Sequence, residues 1–212
     1  PPLLEIAERR GILSAAQWNV VEFHTHNSGT KSLQRPDRMV FDLDPGEGVA
    51  WAKVRDAARL VRAFLQELGL PAFLKTSGGK GLHVVVPLRE AHDWDVVKGF
   101  SQAVVIHLAK TIPQRFVARS GPKNRVGKIF VDYLRNRDGA TTASGWSARA
   151  RPGLGISVPV AWEELASIKG GDHWTVRTAH ARLDEGNRAW DGYARSACRL
   201  TAAMKMLNYT AD

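Results

Sequence analysis

The chain has 212 residues, 44% hydrophobic and 24% charged, enough for a full core in one domain or in two small lobes around a cleft. Its net charge of +9 favours a polyanionic partner. No uncharged apolar run can span a bilayer, no secretory signal opens the chain, and a lone Cys198 excludes an internal disulfide and a cysteine-built zinc cage, so a cytoplasmic setting is expected.

The chain opens on Pro1-Pro2 without a methionine and reads as a fragment of something longer. Residues 3–10 are expected to be helical, and WNVVEFHTH (18–26) to be a strand because apolar and polar residues roughly alternate. A polar connection follows. RMVFDLD (38–44) is then a strand, DPGEG a turn, and 49–68 an amphipathic helix with Trp51, Val54, Ala58, Val61, Leu65 and Leu68 at helical spacing, ended by Gly69. A short strand at 72–76, the turn SGGKG and the strand LHVVVPL (82–88) form a hairpin-like unit. A second long helix is expected over 94–110, an apolar strand around Asp132, a Gly/Ser/Arg-rich loop over 135–153, and helices over 162–168 and 184–207. Strands covered by two or three helices predict an α+β (mixed α/β) fold.

Asp42 and Asp44 are two apart on an extended strand, so both carboxylates face one way, and their repulsion favours a bound cation. Seen alone, aspartates before Pro-Gly are as often turn-formers. Asp132 shifts the balance, because a carboxylate in a strand as apolar as IFVDYL needs a partner, and a metal supplies one. Hard divalent ions bridged by such carboxylates carry out phosphoryl transfer in polymerases and nucleases. From Arg115 to Arg151 nine Lys or Arg residues stand against two aspartates, so the acidic site has a basic frame.

The turn SGGKGLH offers successive backbone amides, the Ser77 hydroxyl, Lys80 and His83 as an anion grip. It is not a Walker loop, since Gly81 and a strand follow Lys80. His24 and His26 form an HxH pair without an obvious third metal ligand, which favours polar or substrate contacts. His92, His107, His173 and His180 have no local context and read as structural or surface residues. The seven tryptophans read mostly as core, with any exposed one able to stack a base.

Taken together, VFDLDPGEG, KTSGGKGLHVVVPL, VDYLRN and SARARPG resemble the polymerase domain of bacterial ligase D, in the archaeo-eukaryotic primase superfamily, across essentially the whole chain. The resemblance implies a primase-like catalytic core with central mixed or antiparallel sheets flanked by helices. It implies that residues 1–212 are one primase-polymerase-like catalytic domain, truncated at the N-terminal segment that in the family supplies much of the pocket for a DNA 5′-phosphate. Asp42, Asp44 and Asp132 would be catalytic and hold two ions, Mn²⁺ or Mg²⁺. Ser77, Lys80, His83, Arg149, Arg151 and Arg135 would contact the nucleotide phosphates, and His24 the ribose 2′-hydroxyl. The implied activity is addition of nucleotides, preferably ribonucleotides, to DNA 3′ ends during non-homologous end joining. Template-primer DNA and nucleoside triphosphates would be bound, with Ku and linked ligase and phosphoesterase domains as partners at the nucleoid. Two other readings stay open: a metal-dependent phosphodiesterase or nuclease, and a non-catalytic DNA-binding module.

Overall fold

A computed structural model describes residues 3–211. Its centre is a six-stranded sheet built from β2 (Arg38–Pro45), β3 (Phe73–Thr76), β4 (Leu82–Pro87), β5 (Phe116–Val117), β6 (Ile129–Asp132) and β8 (Pro159–Val160). Their order is β5-β6-β2-β4-β3-β8. Every pair is antiparallel except β5 with β6, so the sheet is mixed. A second sheet pairs β1 (His24–His26) with β7 (Thr141–Ala143).

Alternation along β2 separates two chemistries. Met39, Phe41 and Leu43 are fully buried in the main core, which they share with Val54, Val61 and Leu65 of α2 (Trp51–Glu67) and Val97, Phe100 and Val104 of α3 (Trp94–Thr111). Asp42 and Asp44 therefore point to the opposite face. Helix α2 ends as expected: Gly69 takes φ +71°, its amide donates to Gln66 and that of Leu70 to Leu65, a Schellman close that a side chain at Gly69 would strain. Asp93 caps α3 by accepting from the Val96 amide at 3.0 Å. No described helix is long and apolar enough to cross a membrane.

The other face is covered by β1, β7 and the segment leading to β8. Strand β6 stops at Asp132, and the Asn136 side chain takes over its pairing: Oδ1 accepts from the Val40 amide at 2.7 Å while Nδ2 donates to the Val40 carbonyl at 2.8 Å. Asn136→Ala would leave both buried groups unpaired, and an expected cost of about 2–4 kcal/mol would appear as a lowered urea midpoint. An unchanged midpoint would show that the two groups find other partners.

Four expectations are corrected. The first helix, α1, runs Arg9–Gln17, not over 3–10: Glu8 is extended at φ −131° and ψ 155°, so the helix starts after it although residues 3–8 are good helix formers. The strand expected over 18–26 shrinks to β1, since Asn19 turns the chain at φ 60° and the Val20 amide bonds back to Ala15. Residues 184–207 hold two short 3₁₀ turns and a six-residue helix, α4 (Thr201–Met206), with Gly186 and Gly192 at positive φ interrupting any longer helix. Residues 162–166 are likewise 3₁₀.

Candidate active site

Strand register places a row of polar side chains across the sheet. Asp132 on β6 lies opposite Asp42 on β2, Asp42 opposite His83 on β4, and His83 opposite Lys75 on β3. Asp44 follows two residues along β2 on the same face. Both belong to the strand, not to the turn after it, so the turn-forming alternative does not describe them. One carboxylate oxygen from each of Asp42, Asp44 and Asp132 lies within 4.8 Å of the others.

Such crowding is costly without a cation. Burial first, then the charge of Asp42, push the Asp44 carboxyl up to about 6, against the opposing pull of Arg125. Burial also raises Asp132, opposed by the Leu134 amide, which donates to it at 2.8 Å, and by Arg135. Arg125 pairs with Asp44 at 3.0 Å and Arg135 with Asp132 at 3.2 Å. Three oxygen donors converging from two strands, two of them held above their ordinary range, fit a hard divalent cation.

A carboxyl raised in the folded chain keeps a proton that the unfolded chain has lost. The contribution of Asp44 to stability therefore falls as pH rises from its ordinary 3.8 to about 6, and bound metal removes the penalty. Mn²⁺ is expected to raise Tm more at pH 7 than at pH 5, measured by thermal unfolding. An equal rise at both pH values would contradict the assignment of these carboxylates as ligands.

Beside the aspartates opens a cavity of about 820 Å³, lined among others by Asp42, Asp44, Ser77, Lys80, Arg125, Arg135, Arg149 and Arg151. Most of the residues singled out in the sequence thus meet in one place. Among the described residues Lys80 and Arg151 have no side-chain hydrogen bond or ion pair, which leaves both cations for a ligand. His83 and Asp132 lie at the sheet itself and are buried. Burial holds the His83 imidazole neutral beside an ionised Asp42, 3.3 Å away, and neither ring nitrogen finds a well-aligned hydrogen-bond partner.

The Gly-rich turn departs from its expected role. The Gly79 and Gly81 amides both donate to Ser77 Oγ at 3.1 Å, and the Gly78 amide donates to the Gly171 carbonyl at 2.9 Å. These glycine amides hold the turn together and are not free to cradle an anion. The glycines serve close packing, since a Cβ on Gly81 would lie 2.1 Å from the Leu43 carbonyl oxygen. The HxH pair makes polar contacts: His24 Nε2 bonds Glu22, and His26 Nδ1 bonds Ser28 Oγ at 2.6 Å. His24 sits on β1 opposite Ala143 and is not a lining residue of the main cavity.

Three contributors escaped the sequence reading. Arg125 reaches Asp44 because its segment is bound to the turn after β2, where the Gly46 amide donates to Lys128 and the Gly127 amide to Glu47. Lys75, buried in β3, donates to Ala143 O at 2.8 Å and Ser157 Oγ at 2.7 Å, tying the small sheet to the large one. Burial drives its ammonium down to about 7, with Asp42 pulling the other way. A lysine in so apolar a strand was a usable signal. Glu22, two residues before His24, joins His24 to Arg149.

A profile described as "LigD, primase-polymerase domain" matches residues 1–190. The chain belongs to that family. It is 52% identical over 207 residues to the multifunctional non-homologous end joining protein LigD of Pseudomonas aeruginosa, covering 97% of this chain and 25% of that protein. It is 34% identical over 192 residues to the Mycobacterium tuberculosis LigD, covering 90% of this chain and again 25% of that protein. The chain thus spans about a quarter of these LigD relatives. The fold matches the polymerase domain of M. tuberculosis ligase D, solved in complex with DNA, at TM-score 0.78 and 28% identity, over 91% of this chain and 69% of that one. The mixed sheet and its covering helices are thus those of a LigD primase-polymerase domain, and the α+β expectation holds.

Proposed function

We propose that residues 1–212 act as one catalytic domain that transfers nucleotides, with preference for ribonucleotides, to DNA 3′ ends in bacterial end joining. The observation that carries this reading is the convergence of Asp42, Asp44 and Asp132 beside a cavity lined by Lys80, Arg125, Arg149 and Arg151. In the reaction the primer 3′-oxygen bonds to the α-phosphorus, the bond to the β-phosphate oxygen breaks, pyrophosphate leaves, and the hydroxyl proton passes to solvent.

Two divalent cations, Mn²⁺ or Mg²⁺, would supply Lewis acidity at the attacking hydroxyl and at the leaving pyrophosphate. All three aspartates would hold the ion nearest the 3′-hydroxyl, and Asp42 and Asp44 would share the ion on the triphosphate. Lys80 and Arg151, unpaired among the described residues, would take the β- and γ-phosphates, with His83 and the Ser77 hydroxyl beside them. Arg125 and Arg135 now neutralise Asp44 and Asp132, and would turn to phosphate once cations take the carboxylates. His24 would contact the ribose 2′-hydroxyl. Linked ligase and phosphoesterase domains, and the end-binding protein Ku, would act on the same DNA end.

A labelled primer-template incubated with Mn²⁺ tests the reading. Lengthening with nucleoside triphosphate, and constant length without it, is expected. Shortening without nucleotide would instead identify a phosphodiesterase, because the same carboxylates can direct water at a phosphate.

A further inference from the structure

We propose that Glu22 is a positioning residue that fixes the sugar-facing His24 and the phosphate-facing Arg149 relative to each other, so that ribose recognition and triphosphate recognition are set by one carboxylate. The inference rests on the nucleotide site described above and deepens it. Glu22 lies just ahead of β1, and its two oxygens collect three donors from two separate parts of the chain. Oε1 accepts from His24 Nε2 and, at 2.7 Å, from Arg149 Nε, while Oε2 accepts from the Ala150 amide at 2.7 Å. Burial works against the charge, but these donors outweigh it and hold the carboxyl down at about 2, so it stays ionised at any working pH.

Glu22 does not line the main cavity but holds Arg149, which does, and a negative charge committed to a phosphate-facing cation calls for a reason. Its geometry supplies one. A carboxylate only accepts, so His24 Nε2 must carry the proton, and in the neutral ring Nδ1 is then left with its lone pair. That nitrogen can accept from a 2′-hydroxyl, and a deoxyribose has no donor at that position. Arg149 is held in the same way: Nε is committed to Glu22 and Nη1 donates to Ser77 O at 3.0 Å, so the remaining face of the guanidinium, on the cavity, is aimed at phosphate. Ser77 O belongs to the Gly-rich turn, so the clamp also registers the turn against β1.

The test is equilibrium binding of ATP and dATP, with Mn²⁺ present, to the wild-type chain, Glu22→Gln and His24→Ala. The side-chain amide introduced by Glu22→Gln is nearly the same shape as the carboxylate but offers one acceptor oxygen and an NH₂ group, so it cannot accept from all three donors. Glu22→Gln is expected to weaken ATP about tenfold, to weaken dATP less, and so to bring the two affinities together, with Mn²⁺ affinity unchanged. In the His24→Ala background the same change should move no further sugar preference. The role of Glu22 is overturned if Glu22→Gln keeps both the ATP affinity and the preference, or if ATP and dATP weaken by the same factor. Wild-type chain that binds neither nucleotide would instead overturn the nucleotide site itself, and wild-type chain that binds both alike would overturn the sugar contact of His24 and this inference with it. Failure of Glu22→Gln to fold would be met with Arg149→Met, which removes the other end of the clamp and is expected to weaken ATP while lowering the sugar preference; retained preference there would contradict the link.

Discussion

Asp42→Ala is expected to reduce nucleotide addition by roughly a thousandfold or more, with the folded chain intact. Asp42 occupies the middle of the row, opposite both Asp132 and His83, and its oxygen is the one that any cation shared by Asp44 and Asp132 would also reach. Removing it leaves two carboxylates from strands that no longer converge on a common donor set. Stability should change little, because two effects oppose each other. The change relieves Asp44 of the charge that raises its pKa, and it leaves His83 and Lys75 without their acidic neighbour. Primer extension together with thermal unfolding checks both halves. Extension at the wild-type rate would remove Asp42 from the metal site, and outright unfolding would make its role structural.

Gly81→Ala should damage both stability and activity far beyond the one methyl group it adds. An added Cβ would stand 2.1 Å from Leu43 O and 3.1 Å from Leu43 C, both backbone atoms, so no rotamer change can relieve it. Leu43 sits between Asp42 and Asp44, and Gly81 is the residue after Lys80. Pushing the turn off β2 therefore moves the phosphate-facing and metal-facing groups apart at once. A loss of roughly 1–3 kcal/mol, or about 2–10 °C in Tm, is expected, with activity down about a hundredfold from a misplacement near 1 Å. Gly145→Ala is the matched control, since its Cβ would meet only Pro159 at 3.9 Å. If the two variants unfold at the same temperature, the close approach of Gly81 to β2 is not a constraint.

The aspartate pair was legible because a period of two on a strand is a geometric rule. Once RMVFDLD is a strand, Asp42 and Asp44 must share a face, and they do. Asp132 was legible as an anomaly, a carboxylate in an otherwise apolar run, and register with β2 then places it directly opposite Asp42. Helix α2 was legible from its apolar spacing and from Gly69 at its end, and α3, expected over 94–110, runs Trp94–Thr111. Less was visible where local signals are weak. A segment rich in apolar residues near 184–207 suggested helix, but two glycines in left-handed conformations set its path. Short strands such as β5, β7 and β8 exist through tertiary pairing and have no periodicity of their own. The glycines of SGGKG predicted an anion cradle, and instead allow the turn to approach β2 and Gly171. Arg125 was lost among other basic residues, since only the packing of its segment on the turn at Gly46 selects it. Glu22 had a signal that went unused: on an extended segment it falls on the same side as His24.

The most direct test is a crystal of the chain soaked with Mn²⁺ and a nucleoside triphosphate, read by anomalous scattering at the manganese edge. Two peaks are predicted at roughly 2 Å from the carboxylate oxygens of Asp42 and Asp44, one of them also on Asp132, with Arg125 and Arg135 released toward phosphate. Manganese bound elsewhere, with Asp44 still paired to Arg125 and Asp132 to Arg135, would contradict the aspartate row as the catalytic metal site.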